Sequence, residues 1–122
     1  MKDPVALYVH LPFCELKCAY CDFNSYAGLE GLMGPYVEAV AAEARLWSAL
    51  LGRPPVTTLF CGGGTPSLLP LPSLERLLAA LRDAFPFQPD CETTVEANPG
   101  TVDARYLKGI AALGVNLSLI HI

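Results

Sequence analysis

The chain has 122 residues, enough for one domain with a real core but short of the roughly 250 residues of a complete α/β barrel. Hydrophobic residues make up 52% and charged residues 16% of it, which excludes a compositionally disordered chain. Eight Lys and Arg scattered among twelve Asp and Glu leave a net charge of −4, and that excludes the basic footprint of a nucleic-acid binder.

At the amino end, Met1-Lys2-Asp3-Pro4 forms no net positive leader, and the apolar run that follows is broken at His10 and Pro12. No membrane span is expected there, and the chain is read as cytoplasmic. The run itself, Val5 to His10, is short, β-branched and aromatic, so it predicts a buried strand leading into a cysteine-bearing loop. Beyond Gly28, Gly31 and Gly34, apolar residues at Val37, Val40, Ala41, Ala44, Trp47 and Leu51 recur at helical spacing. They predict a helix from Pro35 to Leu51, with Gly52 as its stop and Trp47 in the core.

Val56 to Cys61 reads as a second strand, followed by Gly62-Gly63-Gly64 and Thr65-Pro66-Ser67. Pro72 and Ser73 open a second helix carrying Leu74, Leu77, Leu78, Leu81 and Phe85 on one side. Glu92 to Ala97 is a third strand, Asn98-Pro99-Gly100 a turn, Asp103 to Leu113 a third helix, and Gly114 starts a last strand. Strands alternating with helices at this spacing imply an α/β fold with parallel pairing, as in barrels or doubly wound sheets. In both, the loops at the carboxyl ends of the strands build the site, so the cysteine loop, the glycine run and Glu96 should converge.

Cys14, Cys18 and Cys21 lie within eight residues of one another, while Cys61 and Cys91 stand apart as buried or idle thiols. An odd count of five fits a disulfide framework poorly. Three thiolates on one loop favour an iron–sulfur cluster or zinc over hard cations, and three rather than four leave an open metal position for a small ligand. Structural zinc completed by His10 is the competing donor set. The glycine run is no phosphate loop, lacking the Gly-Lys-Ser/Thr ending, but glycine permits close approach of backbone to the amino or carboxylate group of a ligand. Glu96, ending its strand, could accept hydrogen bonds from ribose hydroxyls or an ammonium.

Four separated motifs then agree: Tyr8-Val9-His10-Leu11-Pro12-Phe13-Cys14, Lys17-Cys18-Ala19-Tyr20-Cys21-Asp22-Phe23-Asn24-Ser25, Gly62 to Ser67, and Glu96-Ala97-Asn98-Pro99-Gly100-Thr101. Together they resemble the radical S-adenosylmethionine family, and within it the group of oxygen-independent coproporphyrinogen oxidases and heme chaperones. The resemblance implies the amino-terminal part of a partial (β/α) barrel of TIM type. It implies a [4Fe-4S] cluster on Cys14, Cys18 and Cys21, with S-adenosylmethionine bound at the open iron and cleaved reductively. By motif position it implies that Tyr8 and Tyr20 line the S-adenosylmethionine pocket, that Gly62, Gly63, Gly64 and Thr65 hold its methionine moiety, and that Glu96 contacts its nucleoside or amino group.

Oxidases of the group resemble each other in a further cysteine two residues beyond the third, where this chain has Phe23. Asp22-Phe23-Asn24-Ser25 looks instead like the heme chaperones, which implies heme as a further ligand and an acceptor hemoprotein as partner. The oxidase, which converts two propionates of a porphyrinogen to vinyl groups, is the alternative. After Gly114-Val115-Asn116 the family pattern continues with Arg, Leu and Ser, whereas this chain has Leu117-Ser118-Leu119-Ile120-His121-Ile122. That ending is read as foreign or frame-shifted, and residues 1–122 as a truncated amino-terminal portion that does not complete the function alone.

Overall fold

The computed structural model describes residues 3–14, 26–27, 33–63, 69–97 and 104–120. Among these, Val5–Leu11 (β1), Val56–Gly63 (β4), Phe87–Ala97 (β5) and Leu117–Ile120 (β6) form one sheet in the order β1-β4-β5-β6, with every neighbouring pair parallel. The helices Met33–Leu51 (α1), Leu71–Ala84 (α2) and Ala104–Ala112 (α3) each lie in the connection between two successive strands of that sheet. A doubly wound sheet reverses its strand order partway across; here each strand adds on the same side as the last, which is the wall of a (β/α) barrel.

Alternation along the strands separates two faces. Val9 and Leu11 of β1, Leu59 and Cys61 of β4, and Thr93 and Val95 of β5 are buried. They share one core with Leu74, Leu77, Leu78 and Leu81 of α2, the stripe expected from the sequence, and with Phe85. Each fully buried leucine contributes about 1.5–3 kcal/mol relative to an exposed one. The other register of the same strands carries Tyr8, His10, Phe60, Gly62 and Glu96.

The face of α1 departs from expectation. Its buried residues are Met33, Val37, Ala41, Ala44 and Ser48, a line rotated away from Trp47 and Leu51. Trp47 is 53% exposed and is not core. Trp47 and Leu51 instead line a cleft of about 340 Å³ together with Val5 to Val9 of β1. Ser48, unremarkable in the sequence, takes the buried position because its hydroxyl donates to the carbonyl of Ala84 at 2.5 Å, tying α1 to the end of α2. The helix stops where expected, at Gly52 with φ 77°, a left-handed cap that glycine adopts without a Cβ clash.

Two further strands have no periodic signal in the sequence. Phe13–Cys14 (β2) and Tyr26–Ala27 (β3) pair in parallel as a separate two-stranded ribbon, Phe13 opposite Tyr26 and Cys14 opposite Ala27. In β5 the pairing with β4 is irregular after Phe87 and becomes regular at Glu92, the residue where the sequence places the strand start. Asn116 fixes the entry to β6: its Oδ1 accepts from the Thr93 N–H at 2.8 Å, its Nδ2 donates to the Cys91 carbonyl at 3.0 Å, and its own N–H donates to the Thr93 carbonyl at 3.1 Å. No helix among the described residues is long and apolar enough to cross a membrane.

Candidate functional site

The carboxyl ends of β1, β4 and β5 bring Tyr8, His10, Phe60, Gly62, Gly63 and Glu96 to one end of the sheet. Register explains why. His10 lies opposite Gly62, and Cys61 opposite Val95, which sets Gly62 beside Glu96 on the next position. Three of the sequence-derived site residues, Tyr8, Gly62 and Glu96, therefore share one face, and Gly63 sits at its rim.

The two glycines are required by what their neighbours occupy. A Cβ on Gly62 would collide with the Glu96 carboxylate and come within 2.6 Å of the Phe60 ring. Gly63 has φ 110°, a conformation that residues with side chains rarely adopt, and a Cβ there would lie 2.5 Å from His10 Nδ1. The space left by the missing side chains is thus used by the strands on either side. Glu96 lies flat against the backbone of β4, and the His10 ring lies against the bend that follows it.

Tyr8 stacks on Phe60, with ring centroids 5.9 Å apart and planes inclined by 23°, and its hydroxyl shares a hydrogen bond with His10 Nδ1 at 3.1 Å. The Tyr8 phenol is pushed above its ordinary range by partial burial, then by the negative charge of Glu96 and by Cys61. It stays protonated at neutral pH and can donate. From α1, the Tyr36 hydroxyl donates to the His10 carbonyl at 2.5 Å, and its phenol too is raised, chiefly by burial. On the opposite face, burial pushes the Cys61 thiol up to about 12, so Cys61 is an inert core thiol, as its place in the sequence implied.

Cys14 ends β2, three residues along the chain past the end of β1. Cys18, Cys21, Tyr20, Gly64 and Thr65 lie outside the described residues. Among the described residues, no group of three or more His, Cys, Asp and Glu side chains stands ready to hold a metal. Phe60, Tyr36 and the contact of His10 with Gly63 were not singled out from the sequence. Phe60 was findable, since it stands two positions before Gly62 in a strand and so shares its face; nothing local marks Tyr36.

Chemically, the arrangement offers a carboxylate that accepts from ammonium or hydroxyl groups, an aromatic pair that can stack on a flat ring or face a cation, and a bare glycine backbone. Those are complementary to an amino acid joined to a nucleoside. Cys14, Cys18 and Cys21, of which Cys14 alone lies among the described residues, are by residue type a donor set for a soft metal centre.

Comparison with known proteins identifies the family. The family model described as Radical SAM superfamily matches residues 8–122. The chain is 44% identical to the heme chaperone HemW of Escherichia coli over 93% of its own length and 30% of that protein. It is 42% identical to the heme chaperone HemW of a Synechocystis strain, over 93% of this chain and 28% of that protein. With the oxygen-independent coproporphyrinogen III oxidase of the same Synechocystis strain it shares 38% identity over 94% of this chain and 25% of the oxidase. Among solved structures, the coproporphyrinogen III oxidase HemN of Escherichia coli, titled a radical SAM enzyme, superimposes with a TM-score of 0.93 at 30% identity. That match covers 99% of this chain and 28% of the oxidase. The chain thus spans less than a third of the length of the curated relatives it matches.

Proposed function

The chain belongs to the radical SAM superfamily, and we propose that it is the amino-terminal, cofactor-binding part of a cytoplasmic heme chaperone, which binds heme and passes it to an acceptor hemoprotein. Membership of the family implies a [4Fe-4S] cluster and S-adenosylmethionine as cofactors. When bound, the cluster supplies one-electron reduction of the S-adenosylmethionine sulfonium.

In this reading Cys14, Cys18 and Cys21 hold the cluster and leave one iron open. Glu96 takes the ammonium or the ribose hydroxyls of S-adenosylmethionine, and Tyr8 with Phe60 faces its ring or its sulfonium. The Gly62 to Thr65 backbone takes its methionine end, and Tyr20 closes the pocket from the cysteine loop. The observation that carries the cofactor assignment is the seating of the Glu96 carboxylate on Gly62 at the strand ends, beside the strand that feeds Cys14.

The choice of chaperone over oxidase rests on Phe23, which stands where the oxidases have a further cysteine; identity does not separate the two, running from 34% to 44% for heme chaperones against 38% for the oxidase. The test is made on the full-length protein, reconstituted without oxygen. Heme titration is expected to give a stable complex, and coproporphyrinogen III supplied under reducing conditions is expected to remain unconverted. Turnover to protoporphyrinogen IX without stable heme binding would reverse the assignment.

A further inference from the structure

We propose that His10 is a positioning residue that ties the Tyr8–Phe60 aromatic pair to the Gly63 bend, so that both parts of the S-adenosylmethionine surface are held as one body. The proposal rests on the reading of the site given above.

Three contacts converge on this residue from three elements. Its Nδ1 is joined to the Tyr8 hydroxyl at 3.1 Å, within β1. Its ring lies against the α-carbon of Gly63 at the end of β4, with Nδ1, Cε1 and Cγ all within 3.2 Å of where a Cβ would project. Its carbonyl accepts the Tyr36 hydroxyl of α1 at 2.5 Å. Each contact alone is ordinary. Together they put His10 in touch with both the aromatic pair and the glycine bend.

The consequences follow from strand geometry. Tyr8 is 58% exposed, and a tyrosine that exposed swings about χ1 unless its far end is held. Stacking on Phe60 fixes the ring plane, and the bond to His10 fixes the hydroxyl. In the tautomer protonated at Nε2, the phenol donates to Nδ1, which orients the imidazole as well. The imidazole in turn fills the space over Gly63, and the bend keeps a backbone conformation that only glycine takes cheaply. A displaced ring at position 10 therefore frees the tyrosine and the bend together.

Different substitutions remove different ties. His10→Phe keeps a ring against Gly63 but removes the bond to Tyr8, and Tyr8→Phe removes the same bond from the other side. His10→Asn keeps a polar atom near the position of Nδ1 but loses the ring. In the full-length, anaerobically reconstituted protein, S-adenosylmethionine affinity is measured by equilibrium dialysis, with cluster iron assayed in parallel. His10→Phe and Tyr8→Phe are each expected to weaken binding about fivefold with cluster iron unchanged. The double variant is expected to be no weaker than either single one, since the bond can be lost only once. His10→Asn is expected to recover part of the loss seen in His10→Phe.

Losses that multiply in the double variant, or unchanged affinity in His10→Phe, would overturn the proposal. So would loss of iron in His10→Phe to the extent seen in Cys18→Ala, which would make His10 a metal ligand instead. If His10→Phe does not fold, the cycle of His10→Leu with Tyr8→Phe reads the same coupling, since leucine also removes the partner of the Tyr8 hydroxyl. Failure of the unsubstituted protein to bind S-adenosylmethionine at all would instead remove the site reading, and this proposal with it.

Discussion

The two faces of the sheet are built from the same strands and differ by one residue of register. On β4, Leu59 and Cys61 are buried among leucines, while Phe60 and Gly62, alternating with them, belong to the candidate site. On β1 the same holds for Val9 and Leu11 against Tyr8 and His10. One register is interchangeable apolar volume, filled to hold the helices down. The other is specific, because a carboxylate, an imidazole and two rings each occupy space that a neighbour's chemistry leaves for them. Stability and binding are therefore separable by single-residue steps along one strand.

The largest effect should come from the helix-covered register. Leu59→Ala removes a fully buried side chain and is expected to cost about 3 kcal/mol in denaturant unfolding. Where enough folded protein remains, S-adenosylmethionine affinity should be close to that of the parent. One position further, Gly62→Ala places a methyl group where the Glu96 carboxylate and the Phe60 ring now sit. It should weaken S-adenosylmethionine binding by more than tenfold while costing about 1–2 kcal/mol of stability, through overpacking. Equal loss in both measurements would mean that Gly62 serves the fold alone.

Glu96→Gln keeps the shape of the side chain and removes its charge. Affinity is expected to fall by roughly tenfold, the scale of one charge-assisted hydrogen bond, with stability changed by less than about 0.5 kcal/mol. The smallest effect is expected at Cys61 near neutral pH. Its thiol is raised from 9.0 to about 12 by burial, so the unfolded chain ionises first. Its contribution to stability is intact below pH 9 and is lost as pH rises from there toward 12. Unfolding midpoints measured across that range should fall less steeply in Cys61→Ala, and native Cys61 should resist alkylation at pH 8.

Much of this division was legible in the sequence. The strand from Val5 and the leucine stripe of α2 both follow from local residues, although Tyr8 in that strand is exposed where the apolar run predicts burial. What escaped depended on contacts between distant segments. The buried line of α1 runs through Ser48 rather than Trp47 because a carbonyl 36 residues away accepts the serine hydroxyl, and no periodicity registers that. Strands β2 and β3 have two residues each, too few to show a period.

The candidate site divides along the same line. The three cysteines and the glycine run announce themselves by spacing, and Glu96 by its place at a strand end. That Gly62 and Gly63 also make room for Glu96 and His10 depends on the register between β1, β4 and β5. Register is a property of pairing partners, and a single strand read alone does not contain it.

The central claim is that the cysteine loop and the inner register of the sheet make one site. Binding of S-adenosylmethionine to the full-length protein, reconstituted with iron and sulfide without oxygen, tests it in three forms: parent, Cys18→Ala and Gly62→Ala. The account expects binding to be lost or severely weakened in both variants, and the broad charge-transfer absorption of the cluster to be lost in Cys18→Ala alone. Binding that persists in Cys18→Ala, or stoichiometric zinc with no such absorption in the parent, would contradict it.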